Sequence, residues 1–350
     1  MKGDVVILTA TSGDTGKAAM EGFADVPQTR IQVYYPLNGV SAVQEQQMVT
    51  QEGQNVDVRA VIGSFDDAQS GVKRIFSDEA LREELDRRGC FLSSANSINW
   101  GRILPQVVYY ISAYCDLVGK QAIAMGDRVN FCVPTGNFGD ILAAYYAKRM
   151  GLPVGKLICA SNSNNVLTDF LRTGIYDRNR PFHTTVSPSM DILVSSNLER
   201  LLFHFSGEND AEVREYMDAL GKTGRYQVSD AIKTKLAEAF WGGFCTEEAT
   251  EDTIGRYWKE YRYLIDTHTA VAAEVLEQYR AATGDETPAV FVSTASPYKF
   301  CGAVLTAMGE TPEGDGVELL EQLHRASGVP VPRRLAALKG KPRRFDKTVE

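Results

Sequence analysis

Three segments carry hydroxyls, amides and glycines at points where an apolar run gives way to a helical pattern. Ala10-Thr11-Ser12-Gly13-Asp14-Thr15-Gly16-Lys17 follows Val5–Leu8, Pro134-Thr135-Gly136-Asn137-Phe138-Gly139-Asp140 follows Arg128–Val133, and Ser293-Thr294-Ala295-Ser296-Pro297 follows Ala289–Val292. Small residues let an anion approach the backbone N–H groups that open a helix. By that criterion the turn holding Gly136 and Gly139 is the better phosphate cradle, and a plain turn with a left-handed Asn is the alternative. The first segment is not a Walker loop, because Thr11 and Ala18 stand where glycine and a hydroxyl are required, and it is not a GxGxxG turn either. A tight turn with a capping hydroxyl explains it equally well. A hydroxyl at 293 or 294 can bond a heterocyclic nitrogen or simply cap the next helix. A fourth cluster, Ser93-Ser94-Ala95-Asn96-Ser97-Ile98-Asn99-Trp100-Gly101-Arg102, combines amides with a guanidinium, the chemistry that receives phosphate or carboxylate. A helix starting near Ser97 would put Asn99 and Arg102 on one face, and an elaborate helix cap is the alternative. Two further polar segments, Ser187-Pro188-Ser189-Met190-Asp191-Ile192 and Ser195-Ser196-Asn197, receive no role from their spacing.

The elements that must position these residues alternate. Val5–Leu8, Ile31–Tyr35, Val56–Ile62, Arg128–Val133, Leu157–Ala160 and Ala289–Val292 read as short buried strands. Helical patterns over 15–23, 41–51, 66–76, 139–150 and 269–280 follow or separate them. Strands that are apolar throughout, alternating with helices, predict an α/β fold with mostly parallel sheets. From Glu208 to Tyr263 the pattern is helical and charge-rich, and no strand is expected. The tail from Arg333 carries seven Lys/Arg against Asp346 and Glu350, and reads as a solvated face.

Composition narrows the classes. The chain has 350 residues, 37 basic and 45 acidic, for a net charge of −8, which weighs against nucleic acid or an anionic membrane as partner. No apolar run approaches the ~18 residues of a membrane span. Six cysteines without a CxxC pair predict buried free thiols in a reducing, cytoplasmic setting, and four histidines without metal-type spacing predict no zinc site. Met1-Lys2-Gly3-Asp4 leads into an apolar strand with no signal-peptide pattern.

Taken together, Ala-Thr-Ser-Gly-Asp-Thr-Gly at 10–16, Asn-Ser-Ile-Asn-Trp-Gly-Arg at 96–102, Pro-Thr-Gly-Asn-Phe-Gly-Asp at 134–140, Ser-Pro-Ser-Met-Asp-Ile at 187–192, Asp-Thr-His-Thr-Ala-Val at 266–271 and Ser-Thr-Ala-Ser-Pro-Tyr-Lys-Phe at 293–300 resemble the threonine synthase family. The six motifs occur in family order over nearly the whole chain. The resemblance implies pyridoxal-phosphate fold type II, similar to the tryptophan synthase β chain. It implies a smaller α/β domain at 1–92 bearing the Ser-Gly-Asp-Thr-Gly loop. A larger cofactor-binding domain would occupy 93–350, with a mainly helical insertion at about 200–265. It implies conversion of O-phosphohomoserine and water to threonine and phosphate by a carbon–oxygen lyase, working as monomer or homodimer. A phospho-lyase giving a 2-oxo acid and a non-catalytic phospho-ligand-binding remnant are the alternatives. Gly136, Asn137, Phe138, Gly139 and Asp140 would bind the cofactor phosphate, and Thr294 would meet the pyridine nitrogen. Ser12, Gly13, Asp14 and Thr15 would hold the substrate's amino-acid end, and Asn96, Ser97, Asn99 and Arg102 would line the region near its phosphate. The lysine that binds the cofactor covalently lies upstream of the first loop in this family. Only Lys2 precedes that loop here, outside any matching motif, so the expectation is that the catalytic lysine lies ahead of Met1.

Overall fold

The computed structural model describes residues 3–349, so Lys2 lies outside the described residues. Contacts divide the chain into two compact units, one of residues up to Asn99 together with those from Ala295, the other Trp100–Thr294. This differs from the expected division at 92. The stretch after 294 joins the first unit because its ion pairs and its last strand are made there.

In the first unit, β1 (Asp4–Ala10), β2 (Thr29–Pro36), β3 (Val56–Val61) and β4 (Cys90–Ser94) form one sheet in the order β3-β2-β1-β4, all parallel. β1 is therefore central, and Ile7 and Leu8 are buried as the apolar run predicts. Met20 from the helix Asp14–Phe23 and Met48 from the helix Ala42–Val49 pack with Ile31, Val33 and Val58 to fill this core. Ser41 caps the latter helix as its type predicts, in a reciprocal pair with Gln44.

In the second unit, β5 (Val129–Pro134) and β6 (Val154–Ser161) are central in a second parallel sheet. β7 (Ile175–Asp177) and β8 (Arg225–Gln227) form a small antiparallel pair. β9 (Phe240–Phe244) and β10 (Ala289–Phe291) complete the second sheet in the order β10-β5-β6-β9. The region expected to be mainly helical and without a strand thus contributes β8 to the small pair and β9 as an edge strand of the main sheet. β11 (Thr348–Val349) returns to the first sheet beside β3. The basic tail before it is largely exposed, as expected, yet several of its cations are paired. Arg343 pairs with Glu45 at 2.7 Å, Lys341 with Glu52 at 2.8 Å, and Arg344 donates to the Gly53 carbonyl at 3.0 Å. No helix among the described residues is long and apolar enough to cross a membrane.

Candidate functional site

Both glycine-bearing turns sit at the carboxyl ends of central parallel strands, where open α/β sheets bind ligands. In the second unit β5 ends at Pro134, and the turn leads into the helix Gly139–Arg149. Phe138 adopts the left-handed conformation, φ 66°, with its ring fully buried against Phe240. A large side chain in that conformation persists only when its surroundings hold it. Asn137 Oδ1 accepts from Gly139 N at 3.0 Å. Gly136 is hemmed in: a Cβ there would lie 2.9 Å from the Ser189 carbonyl oxygen and 2.9 Å from Ile192 Cδ1.

The two polar segments that spacing left without a role build this turn. Ser187–Ile192 is the wall behind Gly136. Ser195 Oγ donates to the Gly136 carbonyl at 2.8 Å, and Asn197 donates to the Asn137 carbonyl through its backbone at 3.0 Å and its amide at 3.1 Å. These contacts join residues about 60 apart, and no local pattern announces them. The wall is anchored in turn by Asp191, which accepts from the Thr185 hydroxyl at 2.7 Å, the Asn162 amide at 2.8 Å and the Asn164 amide at 3.0 Å. Burial raises the Asp191 carboxyl above its usual range despite these donors.

The donor set suits a phosphate: backbone N–H groups at the start of an eleven-residue helix, with a glycine where no side chain fits. Asp140 reaches that seat only through its backbone. Its carboxyl is buried, accepts the Tyr110 hydroxyl at 2.9 Å, and is pushed above the ordinary carboxylate range by burial, with Tyr110 and Arg102 opposing. Thr294 follows β10 with its side chain exposed, and its hydroxyl has no hydrogen-bond partner among the described residues.

In the first unit, Thr11 Oγ1 accepts from Gly13 N at 2.9 Å and Gly16 N at 2.8 Å, so the turn at 11–16 is laced from within. Gly13 has φ 126°, and Gly16 packs so closely on Thr11 and Val33 that a Cβ would clash at 2.5 and 2.7 Å. Asp14 accepts from Gln44 Nε2 at 2.9 Å and Lys299 Nζ at 2.8 Å. The Ser12 and Thr15 hydroxyls are half-buried and have no partner among the described residues. Asn96 pairs its amide with both backbone groups of Ala10, at 2.9 and 2.6 Å, and Asn99 donates to the Ser94 carbonyl at 2.9 Å. Both amides thus help to fix strand ends. Ser97 is buried. The helix expected from Ser97 begins at Trp100, because residues 96–99 close a turn through Asn99 N to the Asn96 carbonyl at 2.9 Å. Asn99 thus lies ahead of the helix and belongs to the first unit, whereas Arg102 belongs to the second.

Comparison with known proteins bears on the fold and the family. A family model described as "Threonine synthase, C-terminal" matches residues 269–350. Human "Threonine synthase-like 1" is 43% identical over 310 residues, 87% of this chain and 41% of that protein. "Threonine synthase" of Pseudomonas aeruginosa is 41% identical over 309 residues, 88% of this chain and 63% of that protein. The crystal structure of PLP-bound threonine synthase from Brucella melitensis superposes with a TM-score of 0.81 at 38% identity, over 99% of this chain and 68% of that one. The chain thus spans about two fifths to two thirds of the length of these relatives.

Proposed function

Because the chain belongs to the threonine synthase family, we propose that this region supplies the cofactor seat and substrate turns for converting O-phosphohomoserine and water to threonine and phosphate. The turn at 136–140 carries the reading. It opens a helix with backbone donors, tolerates no side chain at 136, and is clamped by Ser195 and Asn197. Pyridoxal 5'-phosphate, when bound, supplies the electron sink for chemistry along the substrate's carbon chain. Gly136, Asn137, Phe138, Gly139 and the Asp140 backbone would bind its phosphate. The Thr294 hydroxyl would hydrogen-bond the pyridine nitrogen and leave it uncharged, whereas a carboxylate would favour the cation.

In the first unit, Ser12 and Thr15 hold the substrate's amino-acid end with their unspent hydroxyls, Gly13 keeps the turn open, and Asp14 fixes it. In the second unit, Arg102 would serve the substrate phosphate, a charge a guanidinium matches with two parallel hydrogen bonds. Ser97, Asn96 and Asn99 would line the region near that phosphate from the first unit. The substrate is a small molecule, neither nucleic acid nor membrane, and the protein acts in the cytoplasm as a monomer or homodimer.

Product analysis of the intact protein tests the reading. With O-phosphohomoserine and cofactor supplied, threonine and phosphate are expected in equal amounts. A 2-oxo acid with phosphate would instead identify a phospho-lyase. Tight binding of phosphorylated ligands without turnover would identify a binding protein.

A further inference from the structure

Asp266 and His268 are 0% and 2% exposed, and nothing above uses them. Asp266 caps the helix Thr267–Thr283, its Oδ1 accepting from His268 N at 2.8 Å and Thr269 N at 3.3 Å. Capping needs one oxygen, and Ser, Thr or Asn would supply it. The remaining contacts of Asp266 therefore serve another purpose. Oδ1 is 3.2 Å from His268 Nδ1, and Oδ2 takes the Thr269 hydroxyl. Burial works against ionisation here, but the hydrogen bonds from His268 and Thr269 outweigh it and hold the carboxyl below its usual range.

Two lines run outward from this carboxylate. With Nδ1 donating to Asp266, His268 Nε2 is left as acceptor, and Ser189 N donates to it at 3.3 Å. Ser189 is the residue whose carbonyl hems in Gly136 at 2.9 Å. On the other side, the Thr269 and Ser293 hydroxyl oxygens are 3.0 Å apart. A hydroxyl has a single proton, and Thr269 gives its own to Asp266, so Ser293 is the donor in this pair. Ser293 immediately precedes Thr294.

We propose that Asp266 is a positioning residue for the cofactor seat, holding the Gly136 turn through His268 and Ser189 and the strand end at Thr294 through Thr269 and Ser293. The proposal rests on the reading of these two places as the phosphate and pyridine ends of one cofactor. One buried carboxylate then sets both, so the two ends cannot shift independently.

The probes are pyridoxamine 5'-phosphate and pyridoxamine, which form no covalent link to lysine and report by fluorescence. Wild type is expected to prefer the phosphorylated probe. His268→Leu should shrink that preference about tenfold, the worth of one good hydrogen bond, and leave the excitation maximum in place. His268→Gln, whose amide oxygen can still accept from Ser189, should restore it. Thr269→Val should move the excitation maximum and keep the phosphate preference, and Thr269→Ser should restore the maximum. Asp266→Asn, which keeps the capping oxygen and replaces the one holding Thr269, should disturb both. The Thr269 pair gives the same contrast should His268→Leu not fold. Proportional loss of both probes in step with the melting temperature, with no rescue, would overturn the positioning role and leave the seat standing. Wild type that shows no preference for the phosphorylated probe would overturn the seat, and this proposal with it.

Discussion

Lys299 Nζ donates to Asp14 Oδ1 at 2.8 Å, closing a span of 285 residues within the first unit. The pair ties the start of the helix Asp14–Phe23 to the segment that follows Thr294 in sequence. Its side chains keep 20% and 30% of their exposure, so solvent screens it and about 0.2–1 kcal/mol is its scale.

Lys299→Met should therefore cost little stability and show itself in binding. The expected melting shift is at most a few degrees. The affinity for O-phosphohomoserine, measured calorimetrically, should fall several-fold as the Ser12–Thr15 turn loosens. A variant that unfolds outright would mean that the pair carries the unit rather than the turn.

Gly136→Ala tests the cradle. The added methyl meets the Ser189 carbonyl, a backbone atom that cannot swing aside, and overpacking of this kind costs about 1–3 kcal/mol. Thermal denaturation should report that loss. Binding of a phosphorylated pyridoxamine should drop by at least about tenfold, because the turn must open to admit the methyl.

Asp140 should make stability depend on pH in a defined direction. Its carboxyl titrates higher in the folded protein than in the unfolded chain, where about 3.9 is usual. The unfolded chain therefore loses this proton first. Stability from the group is complete below about pH 4 and declines as pH rises through the folded-state value. Asp140→Asn keeps an acceptor for Tyr110 and removes the ionisation. Its melting temperature should gain on wild type as pH rises above about 4 and through the folded-state value, and then run parallel. A constant difference across that range would mean that the carboxyl is already ionised in the fold.

Thr294→Asp should be nearly silent in stability, within about 0.5 kcal/mol, because the side chain is exposed and unpaired. It should shift the absorbance of a bound pyridoxamine phosphate toward the protonated pyridine. An unchanged spectrum at saturating ligand would place the ring nitrogen elsewhere.

The sequence is legible where local chemistry decides the structure. Apolar runs such as Phe131-Cys132-Val133 can only be buried strands, and the glycines after them mark turns at strand ends. β9 was not legible, because Phe240-Trp241-Gly242-Gly243-Phe244 has two glycines where strand formers are expected. Packing dictates them: a Cβ at Gly242 would lie 3.1 Å from Thr168 Cα, and one at Gly243 would lie 2.9 Å from Val275. The strand's composition thus answers to two helices that no window of sequence contains. The same holds for the site. Gly136 and Gly139 announce themselves, whereas Ser195 and Asn197 gain their meaning only when the fold brings them to the turn. Asn96 and Asn99 carry the right chemistry for a ligand, and the fold adds that their amides also bind the backbone of Ala10 and Ser94. The basic tail concealed β11, because seven cations in eighteen residues outweigh the two-residue strand signal of Thr348-Val349.

The discontinuity of the first unit has a consequence for how the protein is made. A ribosome delivers β1 to β4 before Trp100–Thr294, and only afterwards the residues that supply Lys299 and β11. The second unit can therefore reach its native state while the first is still waiting for the residues from Ala295 onward. Through that interval the β3 edge lacks its neighbour and Asp14 its ammonium, and unpaired parallel edges are where nascent chains associate. Translation of the segment that carries Lys299 and β11 is then the step that completes the first sheet, and synonymous changes that slow it should raise chaperone occupancy without altering the finished molecule.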